Sequence, residues 1–135
     1  MESLFKDFQK PQKKTRRTRK MIEALELLEN SSITKDYEIL DYKQGDDFYF
    51  IKIKAVLIDN SELYIREYIS ENEYLYSYHW QNESGEMIIR WDNSPHHKNL
   101  KSFPHHKHVP DVTESQEIGL RDVLKYIEDL LEHKV

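Results

Sequence analysis

FYFIKIKAVLIDNSELYI, residues 48–65, decides the fold. Its odd positions Tyr49, Ile51, Ile53, Ala55 and Leu57 are apolar, with Lys52 and Lys54 between them. A period of two sends successive side chains to opposite faces of a pleated strand, so this is a half-covered strand and not a helix. Asp59-Asn60-Ser61 carries turn chemistry, and Leu63 and Ile65 resume the apolar phase on the return. A three-residue turn at that point sets Leu57 beside Leu63 and Ala55 beside Ile65. It leaves Lys52, Lys54, Tyr64, Arg66 and Tyr68 on the other face.

The same period continues outward. In Tyr74–Gln81 the residues Tyr74, Tyr76, Tyr78 and Trp80 share a face, and Met87, Ile89 and Trp91 share one in Glu86–Asp92. With Asn82–Gly85 as the connecting turn, Trp80 falls opposite Met87, Tyr78 opposite Ile89 and Tyr76 opposite Trp91. On the reverse face His79 pairs with Ile88, and Ser77 with Arg90. Tyr37–Tyr42 reads as an added edge strand. Spacings of three and four then mark two helices, one through Met21, Ala24, Leu25 and Leu28, the other through Leu120, Val123, Leu124, Ile127, Leu130 and Leu131. The expected fold is α+β: an antiparallel meander of about four to six strands, with N- and C-terminal helices packed on one face. The open face would carry Lys52, Lys54, Tyr64, Arg66, Tyr68, His79, Arg90 and Asp92.

A chain of 135 residues, one third charged and 38% hydrophobic, has the composition of one globular domain. Residues 21–135 read as that domain, with a histidine-rich loop at 93–110, and residues 1–20 as a basic arm leading into the first helix. There is no cysteine, which excludes disulfides and thiolate ligands and fits a reducing compartment. No apolar run reaches the roughly 20 residues of a membrane span, and no signal-peptide core opens the chain, so the expected location is the cytoplasm and no membrane partner is expected.

The net charge of −5 argues against nucleic acid only as a whole-chain sum. Lys10–Lys20, KPQKKTRRTRK, contains no acid. It holds Lys13 and Lys14, and its Arg16, Arg17, Arg19 and Lys20 crowd the positive end of the first helix, where each cation costs roughly 0.3–1 kcal/mol. Helix stability alone would reverse that order. The charges either face phosphates or an acidic partner, or are soluble spacer residues, and the density of the run favours a partner. Tyrosines beside cations on an open sheet are also what single-stranded nucleic-acid binders use, although a solvated sheet face is polar without any function.

PHHKNLKSFPHHKH, residues 95–108, repeats Pro-His-His and holds five of the seven histidines. Neighbours in an extended segment point apart, so His105 and His106 cannot share one ion. His106 and His108 can, with His96 or His97 as a third ligand and Asp92 as a carboxylate alternative. Acid–base chemistry is the other reading. Cutting RNA without a metal needs a base for the 2′-hydroxyl, an acid for the leaving oxygen and cations for the phosphorane. His79, His96, His97, His105, His106 and His108 supply imidazoles, and Arg90, Lys107 and Arg66 supply cations. The bland alternative is a loop whose rings cap backbone groups and pack on Trp80, Trp91 and Phe103.

Tyr76, Tyr78, His79, Trp80 and Gln81, then Arg90, Trp91, Asp92, Asn93, Pro95, His96 and His97, then Phe103, Pro104, His105, His106, Lys107 and His108 together resemble the TumE family. Its members are toxins of type II toxin–antitoxin systems. The resemblance covers the C-terminal half and not the basic arm. It implies a cognate antitoxin with a helix-turn-helix domain.

The expected function is a toxin acting on nucleic acid, RNA above DNA, as a metal-independent ribonuclease. Its catalytic residues would be His79, Arg90, Asp92, His96, His97, His105, His106 and His108. The arm cations with Lys52, Lys54, Tyr64, Arg66 and Lys107 would hold the nucleic acid. No cofactor is expected; if a divalent metal binds, His97, His106 and His108 are the ligands. The alternatives are a non-catalytic module binding nucleic acid or protein, and a His-ligated metal-dependent nuclease. Exposed strand edges leave a homodimer open.

Overall fold

The structure, a computed structural model, describes residues 16–95 and 98–132. Helix α1 spans Arg16–Asn30. Strands follow at β1 Thr34–Gln44, β2 Phe48–Leu57, β3 Glu62–Ser70, β4 Tyr74–Gln81, β5 Met87–Asp92, β6 His106–His108 and β7 Val112–Glu114, and helix α2 Leu120–Glu132 ends the order. All seven strands join one sheet in sequence order, every neighbour antiparallel. The fold is α+β, as the periodicities predict. The strand count exceeds the expected four to six because the histidine segment, read as a loop, contributes β6 and the residues just after it contribute β7.

One face is covered. Tyr49, Ile51, Ile53, Ala55 and Leu57 of β2 are buried with Leu63, Ile65, Tyr78, Trp80, Ile89 and Trp91 of the next strands. The same core takes in Ala24, Leu25 and Leu28 of α1 and Leu120, Val123, Leu124 and Ile127 of α2, so both helices lie on this side. Each helix lays its apolar stripe on the sheet, the arrangement that removes both apolar surfaces from water. At the start of α2 the Gly119 N–H donates to Asp122 Oδ2 at 2.9 Å, a side chain three positions on capping a backbone donor the helix leaves unmet.

Two registers differ from expectation, each by two residues. In the first hairpin Ala55 faces Leu63 and Ile53 faces Ile65. The turn is Ile58-Asp59-Asn60, closed by the Leu57 N–H to the Ser61 carbonyl at 2.9 Å, because Asn60 takes the left-handed conformation (φ 67°) that ends a three-residue loop. Asp59 Oδ1 then accepts from the Ser61 N–H and Oγ, holding Ser61 outside the turn. In the β4–β5 hairpin Asn82 and Glu86 close the turn at 2.8 Å, one position beyond the expected closure. A bulge between Trp80 and Gln81 adds a second position. The result is Trp80 opposite Ile89, Tyr78 opposite Trp91, and His79 opposite Arg90 instead of Ile88. A slip of two keeps every side chain on its expected face while changing its neighbour.

Candidate active site on the uncovered face

Directly opposed residues of antiparallel strands share a face, so pairing aligns the open-face side chains in rows. One row runs Lys54, Tyr64, His79, Arg90 and His108 across β2 to β6. The adjacent row runs Lys52, Arg66, Ser77, Asp92 and His106. Arg90 therefore stands between two imidazoles, one strand away on either side.

Asp92 ties the rows together. Its Oδ1 lies 2.7 Å from His106 Nε2 and accepts the Ser94 N–H at 3.0 Å. Its Oδ2 lies 3.2 Å from Arg90 Nε and 3.3 Å from His108 Nε2. Burial pushes the Asp92 carboxyl up, but the Ser94 amide and the charges of His106 and Arg90 outweigh it and hold the group below its ordinary value. An ionised carboxylate in this place satisfies several donors that would otherwise be poorly solvated. His106 Nδ1 is 3.0 Å from the Pro104 carbonyl, and the His106 and His108 rings meet edge to face at 5.1 Å.

His79 lies on the other side of Arg90, its Nδ1 3.5 Å from the guanidinium, with Tyr64 edge-on at 6.5 Å. Burial and then the Arg90 charge lower its pKa, which favours the neutral ring. Burial is also the largest influence on His108. His106 and Arg90 reinforce it, Asp92 opposes it, and the net shift is downward.

Two adjoining clefts open on this face. One of about 340 Å³ is bordered by Lys52, Tyr64, His79 and Arg90. The other, about 420 Å³, is bordered by Phe50, Tyr68, Asn93 and Pro95. Arg66, Ser77 and Arg90 line both. Arg66 also sits over the Phe50 ring at 5.3 Å, and Phe48 stacks on Tyr68 at 5.9 Å. Flat rings and cations thus alternate along the groove.

Of the candidate residues, the structure brings together His79, Arg90, Asp92, His106 and His108, with Lys52, Lys54, Tyr64 and Arg66 beside them. It separates two others. His105 precedes His106 and turns the opposite way, stacking on Tyr76 at 5.8 Å and meeting its hydroxyl through Nδ1 at 2.8 Å. Lys107 pairs with Trp91, a residue of the helix-covered side, so it stands out of the Arg90 row. His106 lies beneath the cluster, its side chain 2% exposed. Lys13, Lys14, His96 and His97 lie outside the described residues, as do the side chains of Arg16, Arg17, Arg19 and Lys20. Among the described residues Asp92, His106 and His108 each offer one metal-ligand atom within 4.8 Å of the others. Asp92 thus joins two of the three expected ligands.

Three contributors are given no role by the sequence reading. Asn93 extends the ladder past β5 by accepting from the Tyr76 N–H at 2.9 Å and donating to the Tyr74 carbonyl at 2.6 Å. Ser94 supplies its amide to Asp92. Glu67, in the apolar phase of β3, is buried under the helices and accepts from Tyr78 at 2.6 Å and Tyr49 at 3.3 Å. A carboxylate at an alternation position otherwise filled by Leu63, Ile65 and Ile69 was the available signal.

The family model described as Toxin TumE matches residues 24–131, so the chain belongs to the TumE family, toxins of toxin–antitoxin systems, and an antitoxin is its implied partner. No curated protein and no solved structure matches it. Among the described residues no helix is long and apolar enough to cross a membrane.

Proposed function

We propose that the toxin is a metal-independent ribonuclease of the cytoplasm whose active centre is the row His79, Arg90, His108. The observation that carries this reading is the pairing of Arg90 with His79 on one side and His108 on the other. Two strand spacings separate the imidazoles by roughly 10 Å. A phosphate over the guanidinium then has one ring toward its 2′ neighbour and one toward its leaving oxygen.

His79, kept neutral by burial and by Arg90, removes the 2′-hydroxyl proton. The 2′-oxygen attacks phosphorus, and the bond to the 5′-oxygen breaks. His108, whose protonated form the Asp92 carboxylate supports against the larger opposing effect of burial, donates the proton that the 5′-oxygen takes up. The products are a 2′,3′-cyclic phosphate and a 5′-hydroxyl. Arg90 faces the charge that grows on the phosphorane, and Arg66 and Lys52 hold neighbouring phosphates. Tyr64, Phe50 and Tyr68 offer rings for unpaired bases. Asp92 is a positioning residue, fixing Arg90 through Nε and His108 through Nε2, and His106 holds Asp92. The basic arm from Lys13 to Lys20 would supply further cations for phosphates. An antitoxin with a helix-turn-helix domain would silence the toxin by covering this face.

The test is RNA cleavage by purified full-length chain in excess EDTA. Cleavage is expected, with a loss of at least about a hundredfold in Arg90→Ala. Stable RNA binding without turnover, with or without metal, would move the assignment to a binding module.

A further inference from the structure

We propose that Asp92, His106 and His108 form a binding site for a single borderline divalent cation of the Zn²⁺ class. The inference does not rest on the ribonuclease reading, since binding is measured without RNA.

The argument begins at His106. Its Nδ1 lies 3.0 Å from the Pro104 carbonyl, which can only accept, so that nitrogen carries a proton. Its Nε2 lies 2.7 Å from Asp92 Oδ1, which is also an acceptor. A lone pair on Nε2 would face an anionic oxygen at contact distance. Something positive must sit between them, either a second ring proton or a metal ion. Donation of the remote ring N–H to a backbone carbonyl is the outer-shell bond that fixes the tautomer and direction of metal-ligating histidines.

The other ligands have suitable spacing. Tetrahedral bonds of about 2.0–2.1 Å put two donor atoms about 3.3 Å apart. Asp92 Oδ2 and His108 Nε2 are 3.3 Å apart, and the 2.7 Å gap at His106 opens by a few tenths of an ångström on replacing a proton by an ion. Two imidazoles and a carboxylate leave further coordination positions open, and this donor set suits Zn²⁺, Co²⁺ or Ni²⁺ better than the hard ions Mg²⁺ and Ca²⁺. The carboxylate and His106 are buried, while the His108 side chain is 22% exposed and gives the ion its way in. Arg90 Nε at 3.2 Å from Oδ2 opposes a second cation and moderates the affinity.

Calorimetric titration of the untagged full-length chain with Zn²⁺, and with Co²⁺ followed by its visible absorption, tests the site. One ion per chain is expected. Affinity should fall roughly tenfold or more in His108→Ala and stay unchanged in His105→Ala, whose ring faces the helix side. On the wild type, Zn²⁺ should shift the ring-nitrogen resonances of His106 and His108 and leave that of His105 in place. No binding, binding of undiminished affinity in His108→Ala, or resonance shifts confined to other histidines would overturn the proposal.

Discussion

Nε2 of His106 stands 2.7 Å from Oδ1 of Asp92, with the two side chains only 2% and 4% exposed. Around this contact Asp92 also meets Arg90, His108 and the Ser94 amide. The uncovered face of the sheet is thereby organised from beneath: one carboxylate fixes the guanidinium and both imidazoles of β6. Such a cluster adds little to stability relative to an apolar replacement, but breaking it from one side leaves buried charge without a counterpart.

Asp92→Asn keeps the shape and removes the charge that His106, His108 and Arg90 share. The expected loss is about 3 kcal/mol, or roughly 10 °C in Tm for a domain of this size. Chemical and thermal unfolding measure it. A change within about 0.5 kcal/mol, the range of ordinary surface substitutions, would show that the cluster is not held as described.

His79 titrates below its ordinary 6.5 because of burial first and the Arg90 charge second. NMR titration of the wild type should place its midpoint under that value. Arg90→Met should raise it while the burial contribution remains. The sign carries into stability. As pH falls, the unfolded chain takes up this proton before the folded one does, so His79 costs stability from about 6.5 downward and nothing well above it. A midpoint that does not move in Arg90→Met would place the guanidinium too far away to matter.

Two histidines three residues apart should behave oppositely. His108→Ala removes the ring paired across from Arg90, and a loss of about 10²–10⁴-fold in cleavage rate is expected for a general acid. His105→Ala removes a ring stacked on Tyr76. It should lower stability modestly and leave the rate per folded molecule within about threefold, a change near 0.7 kcal/mol. Rates measured on variants at matched folded fractions decide the matter, and equal losses in both would dissolve the division of faces.

Much of this arrangement was legible in the chain. Alternation through Tyr49, Ile51, Ile53, Ala55 and Leu57 assigns each residue of β2 to its face, and the three- and four-residue spacings at both ends place the covering helices on the same side. The opposite directions of His105 and His106 follow from the pleat alone. What alternation leaves undetermined is which residues stand opposite one another. Register depends on where the turn closes, and there Asn60 and the Trp80–Gln81 bulge intervene with local geometry that no apolar pattern reports. That two-residue displacement is what brings Arg90 to His79. The strand His106–His108 was invisible for another reason: three polar residues present no apolar phase, and β6 exists because β5 offers an edge to pair with. Asn93 and Ser94 work through an amide side chain and a backbone N–H, which carry no distinctive spacing.

The central claim concerns which atom attacks phosphorus, and the ends of the cleavage products report it directly. Incubating the full-length chain with a defined single-stranded RNA in excess EDTA, followed by mass spectrometry of the fragments, should reveal 2′,3′-cyclic phosphate and 5′-hydroxyl termini. A 2′-deoxy substitution at the scissile nucleotide should block the cut. Fragments bearing 5′-phosphate and 3′-hydroxyl ends, or cleavage that persists at the 2′-deoxy position, would contradict the account, because either outcome requires attack by water and not by the neighbouring hydroxyl.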